Sequence, residues 1–543
     1  MTNRTRTDIL LMAGFCAFLF FYGNGQFGLI GADEPRYAQV AREMFDRRGH
    51  LDGWITPTLG GQPWLEKPPL YYWQAMLAYA LFGVSDVAAR MPSAIDATLL
   101  VVAVYLFFRR FRPEVAIDAA LITASSAGVI GFARAASTDM PLAAFFGIGM
   151  LAWWTWRENE KKIFLALFYV CMALGVLAKG PVAPLLTGLI IVLFAASAGN
   201  LRLVVRTLWP PGIAIFVAVS LPWYCAVQLK NPEFFHEFIL QHNLARFSTN
   251  LYHHPEPFWY YLPVMALALV PWLVFVAQAF YECARAWWAE RGRGSAERDL
   301  EFEFPLFACC WLIVPVLFFS ISRSKLPGYI LPAVPAGAVL FADFLRRRME
   351  EDAPPARWLA MLHSLVAAAP IVPSVLIAYL VTLQKLPSGR PLWFAIAVAL
   401  IVCIALALTL MSRLRLRMLR FVTLIPVVLA VAAVLKFGTG AIDQSLSARP
   451  LAVELASVET HQLPLAVCGA PREVEYGLAY YRNQAIARYE SGNVPSSEHL
   501  VVAPPAWKVN IASLTAGRRV SFLGHYAPQD LDYYWVSAAS AAR

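Results

Sequence analysis

The chain has 543 residues, of which 59% are hydrophobic and only 15% are charged, and its mean hydropathy is +0.54. Soluble globular proteins have roughly 45–50% apolar and about 25% charged residues, so one core cannot bury this much apolar surface. The composition therefore predicts a protein that crosses a membrane several times. The net charge of +9 comes from short basic runs between apolar segments, which is typical of a topology signal and not of a nucleic-acid interface.

The eight cysteines do not indicate a disulfide framework or a structural zinc site. Six of them fall inside apolar runs, and no CxxC or Cys/His spacing is present. The N-terminus carries Arg4 and Arg6 before an apolar run that extends to about Phe27 without a small-residue cleavage site. This pattern predicts an uncleaved first span.

Thirteen apolar segments are long enough to be candidate spans, since a span needs about 20 apolar residues. They lie near 8–28, 90–109, 116–133, 141–156, 163–178, 182–199, 208–227, 259–281, 304–321, 329–345, 358–383, 391–411 and 421–437. The segments between them are alternately basic, and all basic ones fall on the side of Arg4 and Arg6. The positive-inside rule makes that side cytoplasmic and places the C-terminus outside.

The first outer loop, residues 29–89, contains two short segments with helical spacing of apolar residues, at 37–48 and 68–82. Both are too short to span and are predicted to be amphipathic helices at the interface. From about Gly438 the apolar runs shorten and alternate with helix-like stretches at 450–460, 472–482 and 506–515. We therefore predict a transmembrane domain over 1–437 and a small outer α/β domain over 438–543.

The outer segments carry an unusual set of ionisable and polar side chains. They are Asp33, Glu34, Arg36, Glu66, Lys67, Arg134, Asp139, Lys179, His242, Asn243, Arg246, His253, His254, Arg323, Lys325 and Tyr329. Fixed cations can hold an anionic leaving group such as a phosphate, and a carboxylate can orient or deprotonate a nucleophile. A polyprenyl phospho-sugar keeps its tail in lipid and its phosphate at the interface, so this cluster predicts an enzyme acting on that class of substrate.

Structural explanations compete with these functional ones. Asp33 and Asp139 each precede a helix-starting sequence and can be N-caps. Arg323 and Lys325 can extend from a span end to the surface. The Gly180-Pro181 and Pro327-Gly328 pairs can be turns only. His242 with Glu34 or Glu66 is a candidate site for a divalent ion, and the abundant Trp and Tyr residues are typical of an interfacial belt.

Six short motifs in order along the chain resemble those of a known family. They are D-E-P-R-Y-A from Asp33, E-K-P-P-L-Y-Y-W from Glu66, R-A-A-S-T-D-M at 134–140, A-K-G-P at 178–181, H-N-L-A-R-F at 242–247 and S-R-S-K-L-P-G-Y-I-L-P at 322–332. This set is similar to the polyprenyl-phosphate-dependent glycosyltransferases of GT-C architecture, the protein O-mannosyltransferase superfamily. Within it, the motifs most resemble the bacterial lipid A 4-amino-4-deoxy-L-arabinose transferases. The resemblance implies an all-α membrane fold of about thirteen spans with a small C-terminal α/β domain outside.

The resemblance also implies roles for particular residues. Asp33, Glu34 and Asp139 are expected to be catalytic. The donor phosphate is expected to contact Arg36, Lys67, Lys179, Arg246, Lys325 and Tyr329. Glu66, His242 and Asn243 are assigned to an acceptor or structural site, and an ion on Glu66 and His242 is not expected to be essential.

The implied reaction moves 4-amino-4-deoxy-L-arabinose from undecaprenyl phosphate, the lipid carrier, to a lipid A phosphate at the periplasmic face of a bacterial inner membrane. The added amino sugar masks negative charge and so weakens binding of cationic peptides such as polymyxin. No further cofactor is expected, and the sequence does not predict an oligomeric state. One alternative is another polyprenyl-phosphate sugar transferase with a protein or glycan acceptor. A second is a lipid flippase or transporter, although transporters place binding residues near the midplane and show repeats.

Overall fold

The computed structural model describes residues 3–245, 256–290, 300–351, 355–374, 376, 390–412, 415–515 and 517–539. Helices dominate from the N-terminus to Leu446, and a five-stranded sheet follows. The protein is a multi-pass membrane protein, as its composition predicts.

The first outer loop folds into short helices and a hairpin. Its elements follow α1 (Asn3–Cys16) and a π-helical turn, and they are α2 (Asp33–Asp46), α3 (Asp52–Ile55), β1 (Thr58–Leu59), β2 (Gln62–Pro63) and α4 (Leu70–Phe82). The helices predicted at 37–48 and 68–82 are confirmed, and their apolar sides pack together around Tyr37, Met44, Tyr71 and Tyr79. The hairpin was not predicted. Glu43 of α2 holds it by accepting hydrogen bonds from the backbone of its two turn glycines.

A bundle of long apolar helices follows. Its first half consists of α5 (Asp86–Phe111), α6 (Ala116–Ser125), α7 (Ala127–Ala133), α8 (Asp139–Asn159), α9 (Lys162–Lys179), α10 (Val182–Ser197), α11 (Arg202–Thr207), α12 (Pro210–Lys230) and the π-helical segment Phe235–Ala245. Its second half consists of α13 (Tyr261–Ala268), α14 (Leu273–Glu290), α15 (Leu300–Ile321), α16 (Val334–Glu350), α17 (Arg357–Ala368), α18 (Arg390–Met411), α19 (Leu419–Ala433) and α20 (Thr439–Leu446).

Each of the thirteen predicted spans falls on one or two of these helices, although the end of the segment at 358–383 lies outside the described residues. Seven described helices are long and apolar enough to cross a membrane, or nine if two bent helix pairs each count once. The bends were not predicted. They divide α6 from α7 by 61° and the 258–268 helix from the 273–289 helix by 117°. The count of thirteen spans therefore stays a prediction.

Ion pairs join basic segments that were predicted to share the inner face. Arg112 lies 2.7 Å from Asp343, and Arg420 lies 2.9 Å from Asp118. Arg157, after the predicted span at 141–156, pairs with a carboxylate at the start of α15. Because these arginines come from three predicted inner segments and their partners stand at or beside the ends of predicted spans, the contacts support the alternation of sides that the charges indicated.

The C-terminal domain, here residues 449–539, has the predicted α/β character. It contains α21 (Arg449–Val458), β3 (Leu465–Val467), α22 (Arg472–Arg482), β4 (Ala487–Arg488), β5 (His499–Ala503), α23 (Lys508–Leu514), β6 (Val520–Tyr526) and β7 (Leu531–Val536). The sheet order is β4-β3-β5-β7-β6, with β3 parallel to β4 and β5, and β7 antiparallel to its two neighbours. Apolar residues pack on both faces of β5, which explains its uninterrupted apolar run.

Hydrogen bonds seat the C-terminal domain on the first outer loop. The Asp443 carboxylate, in α20, accepts from the Gly28 backbone at 2.7 Å. The Tyr481 hydroxyl accepts from the Leu29 backbone at 2.7 Å and donates to Asp86 at 2.9 Å. Arg449 lies 3.0 Å from Asp86 and 2.7 Å from Asp443. The helical stretch of α19 continues through a π-helical turn into α20 and so crosses the predicted boundary at 438, and it leads directly into this contact.

One buried arginine, Arg90 of α5, ties the first helix, the first loop and the bundle together. Its guanidinium lies 2.6 Å from the Glu34 carboxylate and also donates to the backbone carbonyls of Asn24, Phe27 and Gly28 at 2.7–2.9 Å. A second bond to Glu34, from Nε, uses the last of its five N–H donors. The Arg90 side chain is 0% exposed, so water does not compete for these bonds.

Replacing Arg90 with methionine is expected to destabilise the protein, because the buried Glu34 carboxylate and three carbonyls then lose their donor. Breaking one side of a buried ion pair costs about 3–5 kcal/mol. The matched control is Arg206→Gln, since Arg206 pairs with Glu160 at the same 2.6 Å on the exposed surface. Melting in detergent is expected to occur at a much lower temperature for Arg90→Met and at a nearly unchanged one for Arg206→Gln. Equal melting of Arg90→Met and the wild type contradicts the role assigned to Arg90.

Candidate active site

The first part of the candidate site lies at the N-terminus of α2. The Asp33 carboxylate accepts a hydrogen bond of 2.5 Å from Arg36, one turn later, and the Arg36 guanidinium lies 3.8 Å from the Glu66 carboxylate. Asp33 is not the N-cap, because Ala32 occupies that position and no side chain caps the helix. The Asp33 side chain is 58% exposed, and its charge is favoured by the positive end of the helix dipole. An exposed carboxylate is thereby held beside a largely covered cation.

Aromatic rings surround the Arg36 guanidinium. Its carbon lies 5.1 Å from the ring centroid of Tyr37, 5.3 Å from that of Trp64 and 5.6 Å from that of Tyr476. Burial lowers the pKa of Arg36, but the neighbouring Tyr37, Asp33 and Glu66 raise it more, so its pKa lies above the usual value. Arg36 is therefore a permanent, oriented positive charge between two carboxylates.

The second part of the site joins three further segments that were predicted to lie outside. Asp139 is the first residue of α8, and its carboxylate pairs with the Lys179 ammonium at the end of α9. Ser137 donates a hydrogen bond of 3.0 Å to the other carboxylate oxygen. The Lys179 ammonium also lies 4.8 Å from the ring centroid of Tyr329. As with Asp33, Asp139 is not an N-cap, since Thr138 holds that position.

Two glycines make this second part possible. Gly180 has φ of +98°, a conformation that other residues rarely adopt, and it ends α9 immediately after Lys179. Gly328 lies so close to Asp139 that a Cβ atom there would come within 2.6 Å of the carboxylate. The turn interpretation of Gly180 is thus correct, whereas Gly328 is required by close approach to the site.

Tyr37 is buried beside the Arg36 guanidinium and packs in one apolar cluster with Ala136, three positions before Asp139. Burial raises the pKa of Tyr37, the charges of Asp33 and Asp139 raise it further, and the charge of Arg36 lowers it. The N-termini of α2 and α8 are neighbours, because Tyr37 and Ala136 pack in one apolar cluster. Charged residues separated by about a hundred positions in the sequence are brought together at one end of the bundle.

Two of the predicted site residues are committed to other contacts. The Glu34 carboxylate is buried and faces Arg90; burial raises its pKa, and the charge and hydrogen bonds of Arg90 oppose that rise. Glu34 therefore anchors the loop. The Lys325 ammonium donates to the backbone carbonyls of Ser322 and Glu256 at 2.6 and 3.1 Å, and burial lowers its pKa. Lys325 lines an open groove of about 490 Å³ together with Arg323 and Phe258.

The remaining predicted residues are placed as follows. Lys67 is buried beside Glu66 and reaches its carbonyl oxygen at 3.4 Å. His242 lies 3.9 Å from the Glu66 carboxylate, so the two proposed ion ligands face each other. Among the described residues no group of three or more potential ligands gathers around an ion position. Arg246, His253 and His254, and the side chain of Asn243, lie outside the described residues.

Sequence reasoning missed two residues that shape the site, Arg90 and Tyr476. Arg90 stands at the start of a predicted span, where a charged residue at membrane depth is itself a signal of a structural or functional partner. Tyr476 lies in the C-terminal domain, where no motif was recognised. Its one signal is the spacing of Tyr476 and Tyr480, which places both on one face of a helix.

The comparisons with known proteins agree with this architecture. Residues 8–238 match the model of the PMT family, dolichyl-phosphate-mannose-protein mannosyltransferase. An undecaprenyl phosphate-α-4-amino-4-deoxy-L-arabinose arabinosyl transferase from Pseudomonas fluorescens is 32% identical over 64% of this chain and 61% of its own length. One from Pseudomonas savastanoi is 28% identical over 74% of this chain and 72% of its own length. The chain thus aligns with about three fifths of the first relative.

The fold extends over the whole chain. The crystal structure of ArnT from Cupriavidus metallidurans bound to undecaprenyl phosphate matches with a TM-score of 0.75 at 20% identity, over 97% of each chain. At that identity the match establishes the fold, including the helical bundle and the C-terminal sheet. The resemblance found in the sequence motifs is confirmed: part of the chain is similar to the PMT family and to the arabinosyl transferases, and the chain has the fold of ArnT, a bundle of membrane helices followed by a small sheet domain.

Proposed function

We propose that this protein transfers 4-amino-4-deoxy-L-arabinose from undecaprenyl phosphate to a phosphate group of lipid A. The reaction takes place at the periplasmic face of the bacterial inner membrane and reduces the negative charge of lipid A. Cationic peptides such as polymyxin then bind less tightly. The names of the relatives and the order of the six motifs support this choice of donor sugar.

The observation that carries the proposal is that two ion pairs from separate loops lie at the same end of the bundle. Asp33 pairs with Arg36, and Asp139 pairs with Lys179; the two pairs lie at one end of the bundle, since Tyr37 and Ala136, which stand near them in the chain, pack in one apolar cluster. Lys67 is buried in the first loop, next to the Glu66 that Arg36 approaches. A lipid-borne phosphate entering between the loops meets Lys67 and Lys179, which stabilise its charge by charge-assisted hydrogen bonds.

The chemistry is a single displacement that inverts the anomeric carbon. An oxygen of the acceptor forms a bond to C1 of the sugar while the bond from C1 to the donor phosphate oxygen breaks. The electron pair of that bond leaves with undecaprenyl phosphate, and the lysines neutralise the charge that develops there. No step is assigned to a metal ion, although Glu66 and His242 are placed to contribute two ligands.

The role of Asp33 depends on whether the acceptor group is a phosphate or a hydroxyl. A lipid A phosphate is already anionic at neutral pH and needs no base in order to attack. Asp33 then orients the acceptor or stabilises the positive charge that develops on the sugar ring, and its exposure leaves it accessible to both. With a hydroxyl acceptor, Asp33 takes the proton as a general base.

The function is tested with purified protein in liposomes that contain labelled undecaprenyl-phosphate sugar and lipid A. We expect the label to move to lipid A, with an added mass equal to one amino pentose. Label that crosses the bilayer while remaining on the donor lipid indicates a flippase and contradicts the proposal. Label that moves only to a protein or glycan acceptor contradicts the choice of lipid A.

Replacing Asp33 with asparagine is expected to lower kcat by about 10²–10³, the range for removing one preorganised group that stabilises charge in the transition state. The loss should be similar at every pH, because the acceptor phosphate needs no base. Asp52→Asn is the control, since Asp52 is a half-exposed carboxylate of the same loop that pairs with Lys230 and Arg47. Transfer rates measured from pH 5 to 9 give the answer. Recovery of the Asp33→Asn rate at high pH indicates instead that Asp33 is a simple base.

Replacing Lys179 with glutamine is expected to lower kcat/KM for the donor about 10- to 100-fold, since a hydrogen bond to a charged group contributes about 1.5–3 kcal/mol. The matched control is Lys230→Gln, a lysine that also ends a helix and also pairs with an aspartate, Asp52. Initial rates at varied donor concentration distinguish the two. Equal kcat/KM values for Lys179→Gln and Lys230→Gln would show that Lys179 does not contact the donor.

A further inference from the structure

The aromatic cage of Arg36 is built from two parts of the chain. Tyr37 and Trp64 belong to the first outer loop, whereas Tyr476 belongs to α22 of the C-terminal domain. The C-terminal domain thus reaches the guanidinium that holds Asp33. This domain carries no catalytic motif, so its contribution to the site is visible only in the folded protein.

One face of α22 lies along α2. Tyr476 and Tyr480 are one helical turn apart, and Tyr481 follows. Tyr480 is buried with the first-loop residues, and its carbonyl accepts a hydrogen bond of 3.1 Å from Arg42. Tyr481 binds the Leu29 backbone and Asp86. The contacts of Tyr480 and Tyr481 fix α22 against the loop, and this in turn fixes the position of the Tyr476 ring.

The rings contribute to the orientation of Arg36 because hydrogen bonds do not determine it fully. Arg36 Nε is buried and has no hydrogen-bond partner among the described residues. One terminal nitrogen donates to Asp33 at 2.5 Å, and the other lies at the longer distance of 3.8 Å from Glu66. A desolvated guanidinium beside aromatic faces gains further attraction from them. Loss of one ring also admits water, which weakens the Asp33–Arg36 pair.

On the basis of the function proposed above, we infer that Tyr476 is a positioning residue for the transfer reaction, through which the C-terminal domain holds Arg36 and thereby orients the Asp33 carboxylate. Tyr476 acts through Arg36 and does not itself touch the substrates. The C-terminal domain is then part of the catalytic machinery and more than a cover for the loop.

The test uses the full-length protein in liposomes with the labelled donor and lipid A. Tyr476→Leu, which keeps an apolar side chain at the interface but removes the ring, is expected to lower kcat about tenfold and to change the donor KM by less than about threefold. Tyr476→Phe, which keeps the ring, should recover most of the rate. Tyr533→Phe is the matched control, because it removes a hydrogen bond of 2.8 Å to Glu454 within the C-terminal domain and leaves the cage and the contacts of Tyr480 and Tyr481 in place; we expect it to lower the melting temperature and to keep kcat.

A double-mutant cycle with Arg36→Gln separates positioning from general stability. If Tyr476 acts through Arg36, Tyr476→Leu causes little further loss in the Arg36→Gln protein. A tenfold loss that persists in that background overturns the inference, as does a wild-type kcat for Tyr476→Leu. If Tyr476→Leu also lowers the melting temperature, the cycle still distinguishes the two explanations. The same interface change is made in the wild-type and the Arg36→Gln proteins, so a general loss of stability affects both comparisons equally. Wild-type protein that transfers no sugar overturns the proposed function itself, whereas transfer that is insensitive to Tyr476 overturns only this inference.

Discussion

The candidate site depends on the buried ion pair of Glu34 and Arg90. Successive residues of an α-helix are rotated by about 100°, so fixing the Glu34 side chain fixes the rotation of α2 about its axis. Asp33 and Arg36, three positions apart, then lie together on a face that is rotated by about 100° or more from Glu34. Arg90 also binds three carbonyls that precede α2, so the entry of the loop is fixed as well. Glu34, which was expected to be catalytic, thus anchors α2 and thereby fixes the position of the neighbouring Asp33.

Around this anchor, the protein assembles its site from segments that contribute one or two charges each. Asp139 and Lys179 neutralise one another across two helix ends, and Gly328 packs directly against that pair. Asp33 and Arg36 form the equivalent pair on the first loop. A pre-formed set of paired charges carries a small net charge at the membrane surface, yet it offers cations that can turn to an incoming phosphate. When the phosphate binds, these cations exchange a carboxylate partner for the phosphate. Binding therefore does not bury a new unpaired charge.

The sequence was sufficient for features that depend on local pattern. Apolar run length predicted the helices, and short motifs singled out Asp139 and Lys179, whose side chains form an ion pair in the structure. That the basic runs share one side of the membrane stays a prediction. Features that depend on contacts between residues far apart in the sequence were not predictable.

Nothing in the local sequence distinguishes Glu34 from Asp33, because only the position of Arg90 decides which of the two carboxylates is buried. The two-residue strand β4 shows no periodicity, whereas the aromatic run of β7 had the β propensity to be recognised. Tyr476 reaches Arg36 only because the C-terminal domain folds back onto the first loop.

The central claim, that acidic and basic side chains from separate outer loops enclose a lipid-borne phosphate, is tested most directly by an electron cryo-microscopy map of the protein in nanodiscs with undecaprenyl phosphate. The account predicts density for the phosphate between the N-termini of α2 and α8, within hydrogen-bonding distance of Lys67 or Lys179, with the polyprenyl tail leading into the bilayer. Phosphate density at the opposite end of the bundle, near Arg112 and Asp343, or outside the space between α2 and α8 contradicts it.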